Sequence, residues 1–542
     1  MLSASNGTSH ICALGSVSSW QRTNPEGAVM SAEPKTSDSD AEAPQKPGLM
    51  SHRNAVIVYF GLLFAMLMAT LDTTIVATSL PTIVRDLGGI DHIGWVSTVY
   101  ILASSVATVL GGKLGDLLGR KLVFMVSVVL FLAGSATCGL AQSMDQLIAF
   151  RILQGIGAGG VMAAVFALAF DLFDRRELPK YQGYSTAVFA LSAVAGPMAG
   201  GFFTDHLTWR WVFYVNLPIG AIALLLVGVF LKVSRRAERP TIDYMGMLLL
   251  TGTLVCLVLI TNWAGSRYAW DSNIIIGLAV AGLILLVGWV AVERSASEAV
   301  IPLRLFRDST FVLSNALAFT AGLSSFGLVF FLPLFLQMVS GVTATNSGLL
   351  LLPMMLGLML TSSLVGRVVS KTGRYKWFLP ASMLVLSASC YLLSTMTVDT
   401  SRVVSGLYMF LLGIGSGLSQ QVVITAVQNT APGRDMGAAT STVTFSRMLG
   451  ASFGVSVFAT ILNSRLRHEI ARYVPGGAPR GLGEGNTTVS TGLPEVVREG
   501  LAQAYAHSLS PVFLTAALIA VVAIVAALFV KDLVVQERSW GS

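Results

Sequence analysis

Charged residues are scarce in this chain, and their scarcity excludes an ordinary water-soluble fold. Only 12% of the 542 residues are charged and 54% are hydrophobic, whereas a soluble domain has about 25% charged residues. Histidine and cysteine are also rare, with six and four residues. The cysteines have neither a disulfide framework nor metal-ligand spacing, and the histidines are scattered. We therefore expect no metal, no cofactor and no catalytic residues.

An absent nucleotide-binding motif and the placement of the basic residues bear on the energy source and on the partners. The chain has no Gly-x-x-x-x-Gly-Lys-Ser/Thr loop, so it lacks this means of holding ATP phosphates. Its net charge of +7 comes from basic residues that lie between the apolar blocks rather than in one patch. That placement argues against a nucleic-acid partner and is typical of a protein embedded in a lipid bilayer.

Long apolar runs make up most of what is present. Many are long enough, or nearly so, to cross about 30 Å of hydrocarbon as a helix, and lipid offers no partners to open strand edges. We therefore predict an all-α polytopic membrane protein of about fourteen transmembrane helices. They lie near residues 54–79, 94–112, 122–141, 147–170, 183–203, 211–231, 243–262, 273–292, 311–337, 346–366, 377–396, 403–427, 436–462 and 508–530.

The helix pattern and the positions of lysine and arginine divide the chain and orient it. Most basic residues outside the helices fall on the side of the N-terminus, which predicts that both termini are cytoplasmic. The predicted regions are a disordered cytoplasmic tail (1–53), a six-helix half (54–233), a two-helix insert with cytoplasmic linkers (234–308), a second six-helix half (309–530) with a long extracytoplasmic loop (463–507), and a cytoplasmic tail (531–542).

Three short segments recur at nearly one offset, which indicates a duplication. The loop 112–121 has a counterpart at 366–376, and in both a glycine is followed seven residues later by Gly-Arg. The other pairs are 155–159 with 413–417 and 80–81 with 332–333. We infer two six-helix halves in parallel repeat. A binding cavity at the interface of such halves is a transporter architecture.

Five motifs follow one another along the first half and carry a family resemblance. They are Leu71-Asp72-Thr73-Thr74, Gly112–Lys121, Arg151-Ile152-Leu153-Gln154-Gly155, Gly196-Pro197-Met198-Ala199-Gly200-Gly201 and Asn216-Leu217-Pro218-Ile219-Gly220. With these motifs the chain resembles the fourteen-helix drug:proton antiporters of the major facilitator superfamily, the EmrB/QacA-like group. The resemblance implies a major facilitator fold and multidrug efflux across the cytoplasmic (inner) membrane.

Asp72 and Arg151 are charged residues inside apolar helices. Asp72 is the only acid or base in the stretch 55–84, and a lone carboxylate at membrane depth is costly unless it is protonated or paired. It could load and release a proton, or be a structural carboxylate satisfied by neighbouring hydroxyls. Arg151 cannot lose its charge; it could ease proton release, or cap the outer end of its helix. The resemblance assigns both residues to proton coupling.

The loop between the second and third helices contains Gly112, Asp116, Gly119, Arg120 and Lys121. The glycines allow tight backbone turns, and an Asp–Arg pair there can hold one of two packings of the halves. A solvated loop that follows the positive-inside rule would account for the two basic residues but not for the aspartate. The resemblance implies a conformational latch.

Small residues at helical spacing predict close helix packing. They are Gly155 and Gly159 in the fourth helix, and Gly196, Pro197, Gly200 and Gly201 in the fifth. Such packing is expected in any membrane bundle and gives no direction of transport. The resemblance does, because in the superfamily the motif of the fifth helix marks exporters rather than importers.

Polar and aromatic residues in the remaining apolar helices are candidates for the substrate cavity. They are Asn315, Gln337, Gln420, Gln421, Gln428 and Phe189. Most could equally bond between helices. Arg447 matches no motif, and it could snorkel to the membrane surface, pair with a carboxylate or line the cavity. Because no second carboxylate stands out deep in a helix, we expect neutral or amphipathic substrates, or weakly coupled monocations.

We therefore predict a secondary exporter that exchanges drugs or amphiphilic small molecules for protons and works as a monomer. A dedicated exporter of one endogenous compound, such as an antibiotic, a lipid or a siderophore, is the alternative that the sequence leaves open. An integral-membrane transferase is a distant third, because the chain lacks clusters of His, Asp or Glu at one membrane face.

Overall fold

The computed structural model describes residues 51–88, 93–174, 177–231, 243–264, 268–296, 299–329, 331–342, 349–474 and 494–531. The predicted tail over 1–53 lies outside these residues except for its last three positions, and the predicted tail over 531–542 lies outside them except for Lys531. All the contacts below belong to the unit that begins at Met50.

The first half contains seven helical segments that form six spans. They are α1 (His52–Leu87), α2 (Ile93–Leu118), α3 (Arg120–Leu140), α4 (Met144–Leu172), α5 (Leu178–His206), α6 (Trp211–Tyr214) and α7 (Asn216–Phe230). The short α6 and α7 together form the sixth span, Trp211–Phe230. Gly119, with φ of 99°, separates α2 from α3.

The insert and the second half follow in the predicted order. The insert is α8 (Tyr244–Trp263) and α9 (Asn273–Ser295). The second half contains α10 (Ser309–Ala321), a π-helical turn (Gly322–Phe326), α11 (Gly327–Val329), α12 (Phe331–Met338), α13 (Leu352–Thr372), α14 (Phe378–Ser394), α15 (Arg402–Thr430), α16 (Met436–Tyr473) and α17 (Glu495–Leu528).

Thirteen spans among the described residues are long and apolar enough to cross a membrane. The shorter apolar helix α14, which is eleventh in sequence, brings the number to fourteen. The fold is all-α in the described residues, as predicted. Two helices are longer than their apolar runs indicate: α16 continues to Tyr473 and α17 begins at Glu495. Much of the segment predicted as the loop 463–507 is therefore helical at both of its ends.

Polar caps begin several of the helices and explain where they start. A serine or aspartate precedes the first turn, and its side chain accepts a backbone N–H two or three residues later, which satisfies one of the free donors of that turn. These caps are Ser51 (α1), Ser143 (α4), Asp243 (α8), Ser272 (α9), Asp308 (α10) and Ser401 (α15).

The same helix pairings occur in both halves. In the first half α2 and α3 pack on α4, and α1 packs on α5. In the second half α13 and α14 pack on α15, and α10 packs on α16. The two largest pairings between the halves are α2 with α16 and α5 with α13, and smaller ones join α4 to α16 and α5 to α15. The insert helix α8 contacts both members of the first pair, so it lies against the seam between the halves.

Candidate functional site

Asp72 and Arg151 form a buried ion pair between α1 and α4. The Arg151 Nη1 group donates to Asp72 Oδ2. The exposed fraction is 0% for Asp72 and 1% for Arg151, so water cannot screen either charge. Removing one member of such a pair leaves an uncompensated buried charge, at a cost of about 3–5 kcal/mol.

An amide and hydroxyl shell holds the second carboxylate oxygen of Asp72. Gln154 Nε2 donates to Asp72 Oδ1 over 2.7 Å, and Asn216 Nδ2 donates to the same oxygen over 3.1 Å. Both amides also donate to Ser135 Oγ, which in turn donates to the Phe213 carbonyl. The carboxylate of α1 is thereby connected to α3, α4 and α7.

Arg151 has partners of its own beyond Asp72. Its Nη1 donates to Gln154 Oε1 over 2.8 Å, its Nε donates to the Val96 carbonyl over 3.2 Å, and its guanidinium lies 4.0 Å from the centroid of the Tyr100 ring. A cation over an aromatic face is stabilised by the ring quadrupole. The guanidinium therefore retains three partners when Asp72 is neutral.

Glycine contacts bring these helices close together. A Cβ at Gly155 would lie 2.7 Å from the Tyr100 carbonyl oxygen, and a Cβ at Gly159 would overlap the Ser104 carbonyl oxygen, so both glycines pack against α2. In α5, side chains at Gly196 and Gly200 would overlap Thr74 and Thr78 of α1. These four predicted glycines set the distances between the helices that carry Asp72, Arg151 and Tyr100.

The other two residues of the α5 motif contribute differently. A Cβ at Gly201 would meet no atom within 4 Å, so this glycine is not required for close packing. Pro197 lies in α5, and its side chain is outside the described part of the structure.

The second predicted group lies where α2 meets the start of α16. Asp116 accepts hydrogen bonds from the backbone N–H groups of Gly437 (3.2 Å) and Ala438 (3.1 Å), in the first turn of α16. Carboxylates are favoured at helix N-termini because they satisfy free N–H groups and the positive end of the helix dipole. Asp116 is buried, so this contact between the halves is shielded from water.

Arg120 supports Asp116 from the start of α3. Its Nη2 donates to Asp116 Oδ1 over 2.8 Å, and its Nη1 donates to Asp171 Oδ1 over 2.6 Å at the end of α4. Lys121 lies apart from this group, since its Nζ donates to the carbonyls of Gly228 and Leu231 at the end of α7. The Asp116 contact therefore depends on Arg120 and Asp171, while Lys121 caps a helix of its own half.

A second set of contacts joins the halves on the same side of the bundle, between α5, α13 and α15. Gln182 Nε2 donates to Gln428 Oε1 over 2.6 Å, Gln421 Nε2 donates to Gln182 Oε1 over 3.2 Å, and Ser362 Oγ donates to Thr186 Oγ1 over 2.9 Å. We call this side, defined by the contacts of Asp116 and Gln182, the latch end. The two halves are closed against each other there.

The residues predicted to line the substrate cavity lie on different helices of the second half and have different contacts. Asn315 accepts from Ser446 Oγ over 2.8 Å and so joins α10 to α16. Gln421 belongs to the amide contacts at the latch end. Gln420 is buried in α15, and its Oε1 has no hydrogen-bond partner in the described part of the chain. Gln337 is half-buried in α12. Arg447 lies in α16, remote from the latch-end contacts.

The insert contacts α16 at more than one position along the length of that helix. Arg304, in the turn after α9, forms a bidentate pair with Asp435: its Nη2 lies 2.9 Å from Oδ1 and its Nε 3.1 Å from Oδ2. Farther along, Ser452 Oγ donates to Thr261 Oγ1 over 2.9 Å. Because Asp435 directly precedes α16, the insert contacts the helix whose first turn binds Asp116.

Sequence reasoning missed several members of these groups. Gln154 lies three residues after Arg151, a spacing that places both on one helix face, so a signal was present. Asn216 lies in the motif that enters the sixth span, but its role was not recognised. Ser135, Tyr100 and Asp171 are residue types common in or at the ends of membrane helices and carried no signal. Among the described residues no group of three or more His, Cys, Asp or Glu could hold a metal.

Comparison with known proteins gives a consistent result. The family model of the Major Facilitator Superfamily matches residues 62–455. An uncharacterised MFS-type transporter of Mycobacterium tuberculosis is 39% identical over 484 residues, covering 89% of this chain and 70% of that protein. The multidrug transporter protein MdtP of Bacillus subtilis is 38% identical over 420 residues, covering 78% and 77%. The solved proton:xylose symporter XylE has a TM-score of 0.60 at 13% identity, covering 90% and 98%.

Proposed function

The chain belongs to the major facilitator superfamily, and from this premise we propose that it is a proton-driven exporter of drugs or amphiphilic small molecules. The observation that carries the proposal is the buried Asp72–Arg151 pair with its shell of amides. The multidrug transporter MdtP, to which the chain is similar along most of its length, supports the substrate class.

The proposed coupling step is the protonation of Asp72. A proton on the carboxylate removes the charge that holds Arg151, and the guanidinium then relies on Gln154, Val96 and Tyr100. The contact of α1 with α4 is weakened in that state. These remaining partners of Arg151 keep the cost below that of an unsupported buried charge, which is about 3–5 kcal/mol. Since about 1.4 kcal/mol alters the ratio of two conformations tenfold, one proton can still drive a change in the packing of α1.

The proposed membrane placement assigns the latch end to the cytoplasm. The positive-inside bias of the connecting segments supports this orientation in the cytoplasmic membrane, with one chain as the transport unit. The described conformation, closed at the latch end, is then the one that would release substrate outward. Protons would bind Asp72 from the outer side after substrate release and leave to the cytoplasm when the latch end opens.

The test is Asp72→Asn in everted membrane vesicles. We expect this variant to be expressed and inserted normally but to lose substrate transport driven by the proton gradient. Asp86→Asn is the matched control, since Asp86 lies in the same helix but is exposed near its end, and it should transport as the wild type does. Full gradient-driven transport by Asp72→Asn would refute the coupling role.

Export of a single endogenous compound is the alternative function, and substrate breadth separates the two. A deletion strain and a complemented strain are compared for accumulation of a panel of dyes and drugs and for secretion of endogenous metabolites. Reduced accumulation of several unrelated panel compounds supports a multidrug exporter. Loss of one secreted metabolite from the deletion strain, with no effect on the panel, supports the dedicated exporter.

A further inference from the structure

Arg447 is a half-buried cation of the second half for which the described residues provide no counter-charge. It lies in α16 eleven residues after Met436, which is about 16 Å along the helix and near the middle of a hydrocarbon layer about 30 Å thick. Its Nη2 atom is buried and has no hydrogen-bond partner among the described residues. A guanidinium always carries its proton, so this charge is permanent.

The position of Arg447 rules out snorkelling as an explanation. Long basic side chains reach the membrane surface only from near a helix end, and Arg447 is remote from both ends of α16. Its backbone carbonyl lies directly against Gly322, where the π-helical turn begins. Around the helix it is about 140° from Ser452 at 100° per residue, and Ser452 bonds to the insert. The side chain therefore points away from α8.

Other polar atoms without partners lie on the elements around Arg447. Ser325 Oγ in the π-helical turn, Gln420 Oε1 in α15 and Thr440 Oγ1 in α16 are buried and have no hydrogen-bond partner in the described part of the chain. The π-helical turn, α10, α15 and α16 contact one another. Buried polar atoms are normally satisfied, so unsatisfied ones on contacting helices, together with a lone cation, indicate a place for a polar ligand. π-helical turns within α-helices also occur frequently at functional sites.

The charges in the two halves decide which ligand fits. In the first half Asp72 and Arg151 neutralise each other, whereas Arg447 adds one positive charge to the second half. We propose that the exported molecules carry an anionic group, a carboxylate or a sulfonate, that pairs with Arg447. A guanidinium binds such groups through two parallel hydrogen bonds. This inference rests on the proposed export function and replaces the expectation of neutral or cationic substrates.

Binding of two matched probes to the purified, reconstituted protein tests the inference. Dansylglycine carries a carboxylate, and dansylglycinamide has nearly the same shape without the charge. We expect the wild type to bind the carboxylate about tenfold or more tighter than the amide, as measured by the rise in dansyl fluorescence. Arg447→Gln should lose this preference while binding the amide within about twofold of the wild-type affinity.

Two further variants control for charge and for folding. Arg447→Lys keeps the positive charge but not the bidentate geometry, so it should retain part of the preference. Arg465→Gln removes an exposed arginine of the same helix and should leave the preference unchanged. If Arg447→Gln does not fold, a preference in Arg447→Lys as strong as in the wild type would contradict the bidentate pairing, and a weakened preference would support it.

The outcomes separate this inference from the export function. Equal binding of the two probes by the wild type, no binding of either, or an unchanged preference in Arg447→Gln overturns the anion site. Gradient-driven transport of other compounds would then still support an exporter. Conversely, carboxylate binding that depends on Arg447, in a protein that transports nothing, supports the site and removes the export function.

Discussion

At the scale of single residues, the two members of the buried Asp72–Arg151 pair differ in the other contacts that they make. Arg151 contacts three groups besides Asp72, namely Gln154 Oε1, the Val96 carbonyl and the Tyr100 ring. The other partners of Asp72 are two neutral amides. Neutralising Asp72 therefore leaves a guanidinium with partners, whereas removing Arg151 leaves a buried carboxylate without a counter-charge.

This asymmetry predicts the order of stability in a set of variants. Arg151→Met should lower the free energy of unfolding by about 3–5 kcal/mol, the cost of an uncompensated buried charge. Asp72→Asn should cost less, and the double variant should regain most of what Arg151→Met loses. Thermal unfolding in detergent measures the order. An equal loss in both single variants, or an additive loss in the double variant, would contradict it.

The residues of this group differ in how far the sequence could identify them. Asp72 and Arg151 stand out because a charge inside an apolar run needs a partner or a function. Asn216 and Ser135 do not, since uncharged polar side chains are tolerated throughout membrane helices and their importance appears only when α3 and α7 are packed against α1. Arg447, outside this group, was visible as a charge, but its lack of a counter-charge among the described residues appears only when the helices are packed.

At the scale of helices, the contact of α2 with α16 depends on Gly112. A Cβ at this position would lie 2.5 Å from the Gly437 carbonyl oxygen and would overlap the Ser441 side chain. Asp116, one turn later in α2, binds the N–H groups at the start of α16. The glycine thus allows the approach that the carboxylate needs.

Gly112→Ala should therefore loosen the start of α16, and Gly115→Ala is the matched control. Both changes raise the helix propensity of α2 by about 1 kcal/mol, but a Cβ at Gly115 would meet Arg120 Cγ at an ordinary 3.5 Å. We expect backbone hydrogen exchange in residues 436–444 to be about tenfold faster in Gly112→Ala. Similar exchange in the two variants would mean that the contact tolerates a methyl group.

The helices themselves were largely predictable, and their irregularities were not. Long apolar runs give the number and order of the spans because lipid allows only helices. The π-helical turn that follows α10 in the ninth span has no comparable signal, since it begins where Gly322 packs against the backbone of α16. The attachment of the insert to α16 through Arg304 and Asp435 likewise joins residues 131 positions apart.

At the scale of the whole molecule, the two halves are closed against each other at the latch end. The α2–α16 contact carries Asp116, and the contacts of α5 with α13 and α15 carry Gln182 and Thr186. Alternating access requires the halves to rock around a fixed site, so both contacts must open in each transport cycle. A covalent link across either contact should then stop transport.

Thr186→Cys combined with Ser362→Cys provides such a link. The two hydroxyl oxygens lie 2.9 Å apart on opposite halves, so cysteine sulfurs at these positions are within reach of a disulfide. We expect oxidation to abolish efflux and a reductant to restore it, measured on the same vesicles. Thr70→Cys with Ser192→Cys is the control, because these hydroxyls are 2.6 Å apart within the first half, where a disulfide does not join the halves. Undiminished efflux by the oxidised, fully cross-linked Thr186/Ser362 variant would show that the latch end need not open. Rocking of the halves would then be the wrong description of how this protein moves its substrate.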